Sequence, residues 1–224
     1  MNTPVSPFDP ITIGPLTLRN RFIKSGANEA MSMDGIPTKA LLKHHRDLAQ
    51  GGVGMTTVAY MAVAPHARTL PNQIWMRPQI LPDLRALTDA VHAEGAAISA
   101  QITHGGSFVT GMKVKGRTIS SSSGFNPAGA LKGNFLQRAM NEADMTRVIE
   151  EFVAAARLAR DAGFDAVELH MGHGYLLNQF ISPLSNRRED QYGGSPENRV
   201  RFPARVLAAV KEAVGDTTAV LAKI

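Results

Sequence analysis

Three side chains able to do chemistry, those of His170, His173 and Tyr175, lie within six residues of one another. Imidazole and phenol groups can donate hydrogen bonds to a carbonyl oxygen and deliver a proton. Alternate residues of a strand share a face, so a strand ending at His170 places Glu168 on the same side. Glycines on either side of His173 predict a turn that gathers the three groups around one mouth.

The same segment allows two other interpretations. Glu168, His170 and His173 form a carboxylate-and-imidazole set that could ligate a divalent cation in a metal-dependent barrel lyase or isomerase. That hypothesis gives no role to Tyr175 or to Gln101. The remaining alternative is a partial barrel with no catalytic activity of its own.

Strand-like and helix-like segments alternate along the chain and must position these groups. Strands are predicted over residues 21–24, 55–63, 97–102, 166–170 and 218–224, and helices over 38–50, 81–94, 144–162 and 195–214. Such alternation predicts an α/β protein with a parallel sheet and helices outside it. Polar residues gather at strand ends, as Gln101 and His104 do, and no Gly-x-Gly-x-x-Gly follows the first strand. Both features favour a TIM (β/α)8 barrel over an open doubly wound sheet.

Residues 1–224 are therefore expected to form a single barrel domain that is incomplete at its C-terminus, because five strands cannot close a barrel of eight. A small hairpin is predicted at residues 11–18, and the Ser- and Gly-rich residues 105–140 are expected to form a long loop. Ser195 is the predicted N-cap of the last helix, and Pro203 inside it predicts a kink or a break.

Composition narrows the function further. The 224 residues are 44% hydrophobic and 19% charged with no Cys, which excludes collagen-like, low-complexity and disulfide-scaffold proteins. The net charge of +5 is scattered rather than clustered with aromatic residues, so no nucleic-acid partner is expected. No apolar run reaches the roughly 18–20 residues of a membrane helix, and no signal peptide is visible. A soluble, cytoplasmic protein is expected.

A long motif then points to a family. His170-x-x-His-Gly-Tyr-Leu-Leu-x-Gln-Phe180 is followed by Ser182-Pro-Leu-Ser-Asn-x-Arg-x-Asp-x-Tyr-Gly-Gly-Ser-x-Glu-Asn-Arg199. This sequence resembles the signature of the old yellow enzyme family, the flavin-dependent NAD(P)H oxidoreductases and ene-reductases. The Phe-Asp-Pro-Ile-Thr-Ile run near the N-terminus and the Gln-x-x-His run after the third strand are also similar, so the resemblance spans the whole chain.

The resemblance implies FMN bound non-covalently at the mouth of the barrel and reduced by NADH or NADPH. Hydride would then pass from flavin N5 to the β-carbon of an activated alkene in a small enone-type substrate. By position, His170 and His173 would hold the substrate carbonyl oxygen, and Tyr175 would protonate the α-carbon. The particular alkene, the choice between NADH and NADPH, and formation of a homo-oligomer stay open.

The resemblance also assigns cofactor contacts. They fall on Ser25, Gly26, Ala27, Tyr60, Gln101, His170 and Lys223. Gln101 would bond the flavin pyrimidine edge, and Lys223 would stabilise negative charge near N1 and O2. Asn28 stands where family members often have Thr or Cys, so it is expected to affect substrate preference. Loops after strands seven and eight hold the phosphate group in this fold, and the sequence does not contain them.

Overall fold

The computed structural model describes residues 5–109, 117–130 and 133–224. Within those residues the strands are β1 (Ile11–Ile13), β2 (Leu16–Leu18), β3 (Ile23–Lys24), β4 (Ser32–Met33), β5 (Ile36–Pro37), β6 (Met55–Ala62), β7 (Ala97–Thr103), β8 (Thr118–Ser120), β9 (Gly124–Phe125), β10 (Leu136–Ala139), β11 (Ala166–His170) and β12 (Ala219–Lys223). The helices are α1 (Lys39–Gln50), α2 (Leu81–His92), α3 (Pro127–Ala130), α4 (Glu142–Asp161), α5 (Leu176–Ile181) and α6 (Pro196–Val214). Short 3-10 turns occur at Pro65–Ala67, Pro78–Ile80 and Gly106–Phe108.

Five strands form one parallel sheet in the order β12-β11-β7-β6-β3. This is the sheet that the alternation predicted, and it forms the first five strands of a TIM barrel. The register places Glu168 beside Gln101, and His170 beside Lys223. Parallel strands end at the same edge, so the polar groups at their C-terminal ends meet there.

Helices α1, α2, α4 and α6 pack against the outer face of this sheet. In α4 the apolar stripe includes Val148, Phe152 and Ala159, all fully buried. The helix begins where Asn141 caps it: the Asn141 side chain accepts from the Asp144 N–H, and the Asp144 carboxylate accepts from the Asn141 N–H. Such a reciprocal cap satisfies two backbone donors that the first turn leaves unpaired. Leu169 of β11 points into this outer core, as strand alternation predicted.

Ser195 caps α6 as predicted, its hydroxyl accepting from the Asn198 N–H at 3.3 Å. Of the kink or break expected at Pro203, the break does not occur, because α6 continues to Val214, and the kink stays a prediction. Buried residues on both sides, Phe202 and Val206, hold the helix against the core, and this packing offsets the one backbone hydrogen bond that proline cannot make.

The expectation of a structureless loop over residues 105–140 is wrong for the part that the structure describes. There β10 pairs with β8 in parallel and with β9 antiparallel, and α3 lies between β9 and β10. Strands of two to four residues are too short to show a period, so the pattern could not reveal them. Residues 110–116 and 131–132 of the predicted loop lie outside the described residues.

The hairpin of β1 and β2 is confirmed, whereas α5 was not predicted. Its six residues lie inside the His170–Phe180 motif and are too few to show a helical period. No helix among the described residues is long and apolar enough to cross a membrane.

Candidate active site

His170, the last residue of β11, is buried at the mouth of the sheet. Its Nδ1 accepts from the Gly172 N–H at 3.3 Å, and its Nε2 lies 3.1 Å from His173 Nδ1. Burial, helped by His173 and Lys223, lowers the pKa of His170 to about 4, so the ring is neutral at neutral pH. A neutral ring that accepts at Nδ1 carries its proton on Nε2. It therefore donates to His173, whose Nε2–H is left to face a ligand.

A tight turn brings Tyr175 back over His170. His173 and Gly174 have φ angles of 57° and 76°, in the left-handed region. The Tyr175 ring centroid then lies 5.0 Å from that of His170 and 5.2 Å from that of Tyr60. The Tyr175 hydroxyl donates to the Tyr60 oxygen at 2.8 Å. Burial, followed by this bond to Tyr60, raises the pKa of Tyr175, which stays a neutral phenol able to donate a proton.

Three side chains that sequence reasoning did not assign to the site extend this group. The Tyr60 hydroxyl lies 2.8 Å from Thr69 Oγ1, and the Thr69 N–H donates to Gln73 Oε1 at 2.7 Å. The Phe108 ring lies 6.0 Å from that of Tyr175. All three come from segments that follow β6 and β7. The only signal that could have found them is the general rule that loops at the C-terminal ends of barrel strands converge.

Gln101 and Glu168 lie side by side on neighbouring strands, and Glu168 shares its face of β11 with His170. The Gln101 Nε2 donates to Glu168 Oε1 at 2.5 Å, across the pairing of β7 with β11. Gly26 packs directly against the Gln101 amide, where an added Cβ would lie 2.5 Å from Nε2. Only glycine permits this approach, which leaves the amide beside exposed backbone.

Lys223 connects the two outer strands of the sheet. Its Nζ donates to Ser25 Oγ at 2.8 Å and to the Gly26 carbonyl at 3.4 Å, from β12 to the segment after β3. The two strands lie at opposite ends of the strand order, so this contact requires the sheet to curl. A positive charge thereby lies at the mouth.

The segment 25–28 is flanked by Lys24 and Glu29, which form a partly buried ion pair. The other Glu29 oxygen accepts from the Ala59 N–H at 3.1 Å, and Asn28 forms a parallel bridge with Ala59. Asn28 is exposed and lines a cavity of about 260 Å³ together with Tyr60. Ala27 is also exposed. The predicted cofactor contacts thus lie along one edge, although their roles stay predictions.

The structure does not assemble the alternative metal site. Glu168 bonds to Gln101 and His170 bonds to His173, and the ligand atoms of the three proposed residues do not converge. In the described residues a potential ligand group occurs instead at His66, His104 and Glu151, whose ligand atoms lie within 4.8 Å of one another.

His104 orients the chain that follows it. Its Nδ1 accepts from the Gly106 N–H at 3.0 Å, and its carbonyl accepts from the Leu176 N–H at 2.9 Å. The neutral ring then carries its proton on Nε2, the only nitrogen left to bind a cation, so this histidine is poorly suited as a metal ligand.

Comparison with known proteins gives a consistent result. The model of the NADH:flavin oxidoreductase / NADH oxidase family matches residues 6–224. A 4,4'-dithiodibutanoate disulfide reductase of Rhodococcus erythropolis is 44% identical over 218 residues, which are 96% of this chain and 53% of that protein. An NADPH dehydrogenase of Geobacillus thermodenitrificans is 38% identical over 217 residues, 95% of this chain and 61% of that protein.

Solved structures agree with the sequence comparisons. An Old Yellow Enzyme from Pichia sp. AKU4542 superposes with a TM-score of 0.86 at 29% identity, covering 96% of this chain and 59% of that one. The chain thus spans between about half and three-fifths of the length of these three proteins.

Proposed function

This chain belongs to the NADH:flavin oxidoreductase / NADH oxidase family, and on that premise we propose that it reduces the activated C=C bond of α,β-unsaturated carbonyl compounds. The cofactor of this family is FMN, with NADH or NADPH as the reductant. The observation that supports the proposal most directly is the convergence of the His170–His173 pair and the Tyr175 hydroxyl at one mouth. We also expect the protein to act in the cytoplasm.

The residues present fit FMN. The Gln101 amide offers both a donor and an acceptor, and the Gly26 backbone lies directly beside it. The Lys223 ammonium group adds a cation suited to an electron-rich ring. Ser25, Gly26, Ala27, Tyr60, Gln101, His170 and Lys223 would therefore hold the isoalloxazine. When bound and reduced, FMN supplies the hydride.

The histidines would bind and polarise the substrate. The His173 Nε2–H donates to the carbonyl oxygen, and the His170 Nε2–H keeps the His173 ring in the tautomer that makes this possible. A donor aimed at that oxygen stabilises the negative charge that develops there.

Tyr175 would complete the reaction. Its hydroxyl gives a proton to the α-carbon of the substrate, and the electron pair of the broken O–H bond stays on the tyrosine oxygen. Asn28, at the edge of the 260 Å³ cavity, would contact the part of the substrate that lies away from the carbonyl.

The test is Tyr175→Phe in the flavin-loaded protein, with the two half-reactions measured separately by rapid mixing. We expect alkene reduction to slow by about 10²- to 10⁴-fold, the usual contribution of a general acid, with flavin reduction by NAD(P)H unchanged. Equal losses in both half-reactions would disprove the proton-donor role.

A second electron acceptor deserves the same assay because of the 44% identity to a protein named as a disulfide reductase. Reduction of an organic disulfide breaks the S–S bond and forms two thiols, with no carbon to protonate. Faster turnover with 4,4'-dithiodibutanoate than with any enone, unaffected by Tyr175→Phe, would favour this alternative.

A further inference from the structure

The Tyr175 hydroxyl begins a chain of hydrogen bonds that leads away from the mouth. It donates to Tyr60 at 2.8 Å, and the Tyr60 hydroxyl lies 2.8 Å from Thr69 Oγ1. The Thr69 hydroxyl in turn donates to Gln73 Oε1 at 3.2 Å. Both Thr69 and Gln73 are buried.

The direction of the chain follows from the Gln73 amide. Its Nε2 donates to the Tyr60 carbonyl at 3.0 Å, so its Oε1, which can only accept, faces Thr69. Thr69 must then donate to Gln73, Tyr60 to Thr69, and Tyr175 to Tyr60. At rest the proton of Tyr175 therefore points toward Tyr60 and away from a substrate.

We propose that Tyr60 and Thr69 are positioning residues that reverse their hydrogen bonds when Tyr175 gives up its proton. This inference rests on the proton-donor role of Tyr175 proposed above. As the O–H bond of Tyr175 breaks and a C–H bond forms at the α-carbon, the Tyr60 O–H turns from Thr69 to the Tyr175 oxygen. The Thr69 O–H then turns from Gln73 to Tyr60, and no other covalent bond changes.

The surroundings of Tyr175 explain why this reversal is needed. The phenolate formed there is partly buried, and the neighbouring His170 ring is neutral at neutral pH, so it contributes no positive charge. A buried charge is costly unless hydrogen bonds compensate it. The Tyr60 hydroxyl is already in contact with the Tyr175 oxygen, and the Thr69 hydroxyl can donate a hydrogen bond to Tyr60 after Tyr60 turns.

The reversal leaves Gln73 satisfied. Its Oε1 also accepts from the Thr69 backbone N–H at 2.7 Å, a shorter contact than the 3.2 Å bond that Thr69 Oγ1 gives up. Gln73 can thus hold the loop in place in both arrangements. If the hydroxyl bond were the only bond to Gln73 Oε1, the reversal would leave that oxygen unpaired, and the cost would oppose the change.

The test uses four variants of the flavin-loaded protein: Tyr60→Phe, Thr69→Val, Thr69→Ser and Tyr175→Phe. Tyr60→Phe and Thr69→Val remove a hydroxyl at nearly constant shape. We expect each to lower kcat for alkene reduction by about 10- to 100-fold, the effect of one lost hydrogen bond to a charged group. Thr69→Val, at a residue assigned no contact with flavin or substrate, should leave KM and the rate of flavin reduction unchanged. Thr69→Ser keeps the hydroxyl and should retain most of the wild-type rate.

A double variant measures whether Tyr60 acts through Tyr175. Adding Tyr60→Phe to Tyr175→Phe should cause no further loss, because the stabilised phenolate no longer forms. Additive losses, a Thr69→Ser variant as slow as Thr69→Val, or a wild-type rate for Tyr60→Phe would overturn the inference. A wild-type rate of alkene reduction in Tyr175→Phe would instead disprove the proton-donor role of Tyr175, on which this inference rests.

Discussion

The two sides of the mouth are built in different ways. The cofactor side, defined as Ser25, Gly26, Gln101, Glu168 and Lys223, draws its groups from four strands or their ends. The substrate side, defined as Tyr60, His170, His173 and Tyr175, takes three of its four groups from one turn of six residues. The cofactor side therefore depends on how the sheet curls, whereas most of the substrate side depends on one local turn. The two sides should be separable by mutation, apart from Tyr60 and His170, which are proposed to contact the flavin as well.

The largest expected effect on ligand binding falls on the substrate side. Replacing both His170 and His173 by Ala removes the outward donor and the ring that orients it. Because a hydrogen bond to a charged ligand is worth roughly 1.5–3 kcal/mol, the affinity for a phenolate ligand should fall by about 10- to 150-fold. Titration of the flavin absorbance band measures this affinity. Unchanged binding would show that the histidines do not hold the ligand oxygen.

Lys223→Met should give the opposite pattern from Tyr175→Phe. It removes the cation of the cofactor side, so flavin reduction by NAD(P)H should slow by about 10- to 100-fold while proton delivery by Tyr175 is retained. This estimate is below that for a fully buried donor because Lys223 is partly exposed. Lys211→Met, at an exposed position of α6, is the matched control. If Lys223→Met reduced its flavin as fast as that control, Lys223 would have no role at the cofactor.

A smaller effect is expected from Gly26→Ala. The new Cβ would lie 2.5 Å from the Gln101 amide, so Gln101 must move, and overpacking of this kind costs about 1–3 kcal/mol. FMN affinity should therefore fall by about 10-fold or more, as measured by fluorescence on release of the flavin. Gly172→Ala is the comparison on the other side, because its Cβ would make only ordinary contacts at 3.5 Å and beyond. If FMN affinity fell equally in the two variants, the distinction between the cofactor side and the substrate side would be contradicted.

The smallest expected effect is a pH dependence of folding stability caused by His170 on the substrate side. The pKa of His170 is lowered to about 4, whereas an unfolded histidine titrates near about 6.5. Between these values the unfolded state binds a proton that the folded state does not, so the free energy of unfolding falls as pH is lowered through this range. His170→Gln should flatten this slope by at most about 1.4 kcal/mol per pH unit. Urea unfolding of both proteins at several pH values checks this; parallel curves would contradict it.

Much of the fold could be predicted because strands and long helices carry local signals. The alternation that predicted β11 and the cap and proline that predicted the start of α6 involve residues within a few positions of each other. The short strands β8 and β9 and the six-residue α5 carry no period and were missed. The break that Pro203 could cause does not occur, because α6 packs against the core, and this packing is not visible in the local pattern.

In the candidate site, too, local contacts could be predicted from the sequence and long-range contacts could not. The sequence by itself determined that His170, His173 and Tyr175 lie together, since a strand end and a glycine turn bring near neighbours to one place. Only the tertiary structure decided that Lys223 reaches Ser25, almost two hundred residues away, and that Tyr175 bonds to Tyr60 and through it to Thr69. Backbone preferences act over a few residues, whereas these contacts depend on the register and curvature of the whole sheet.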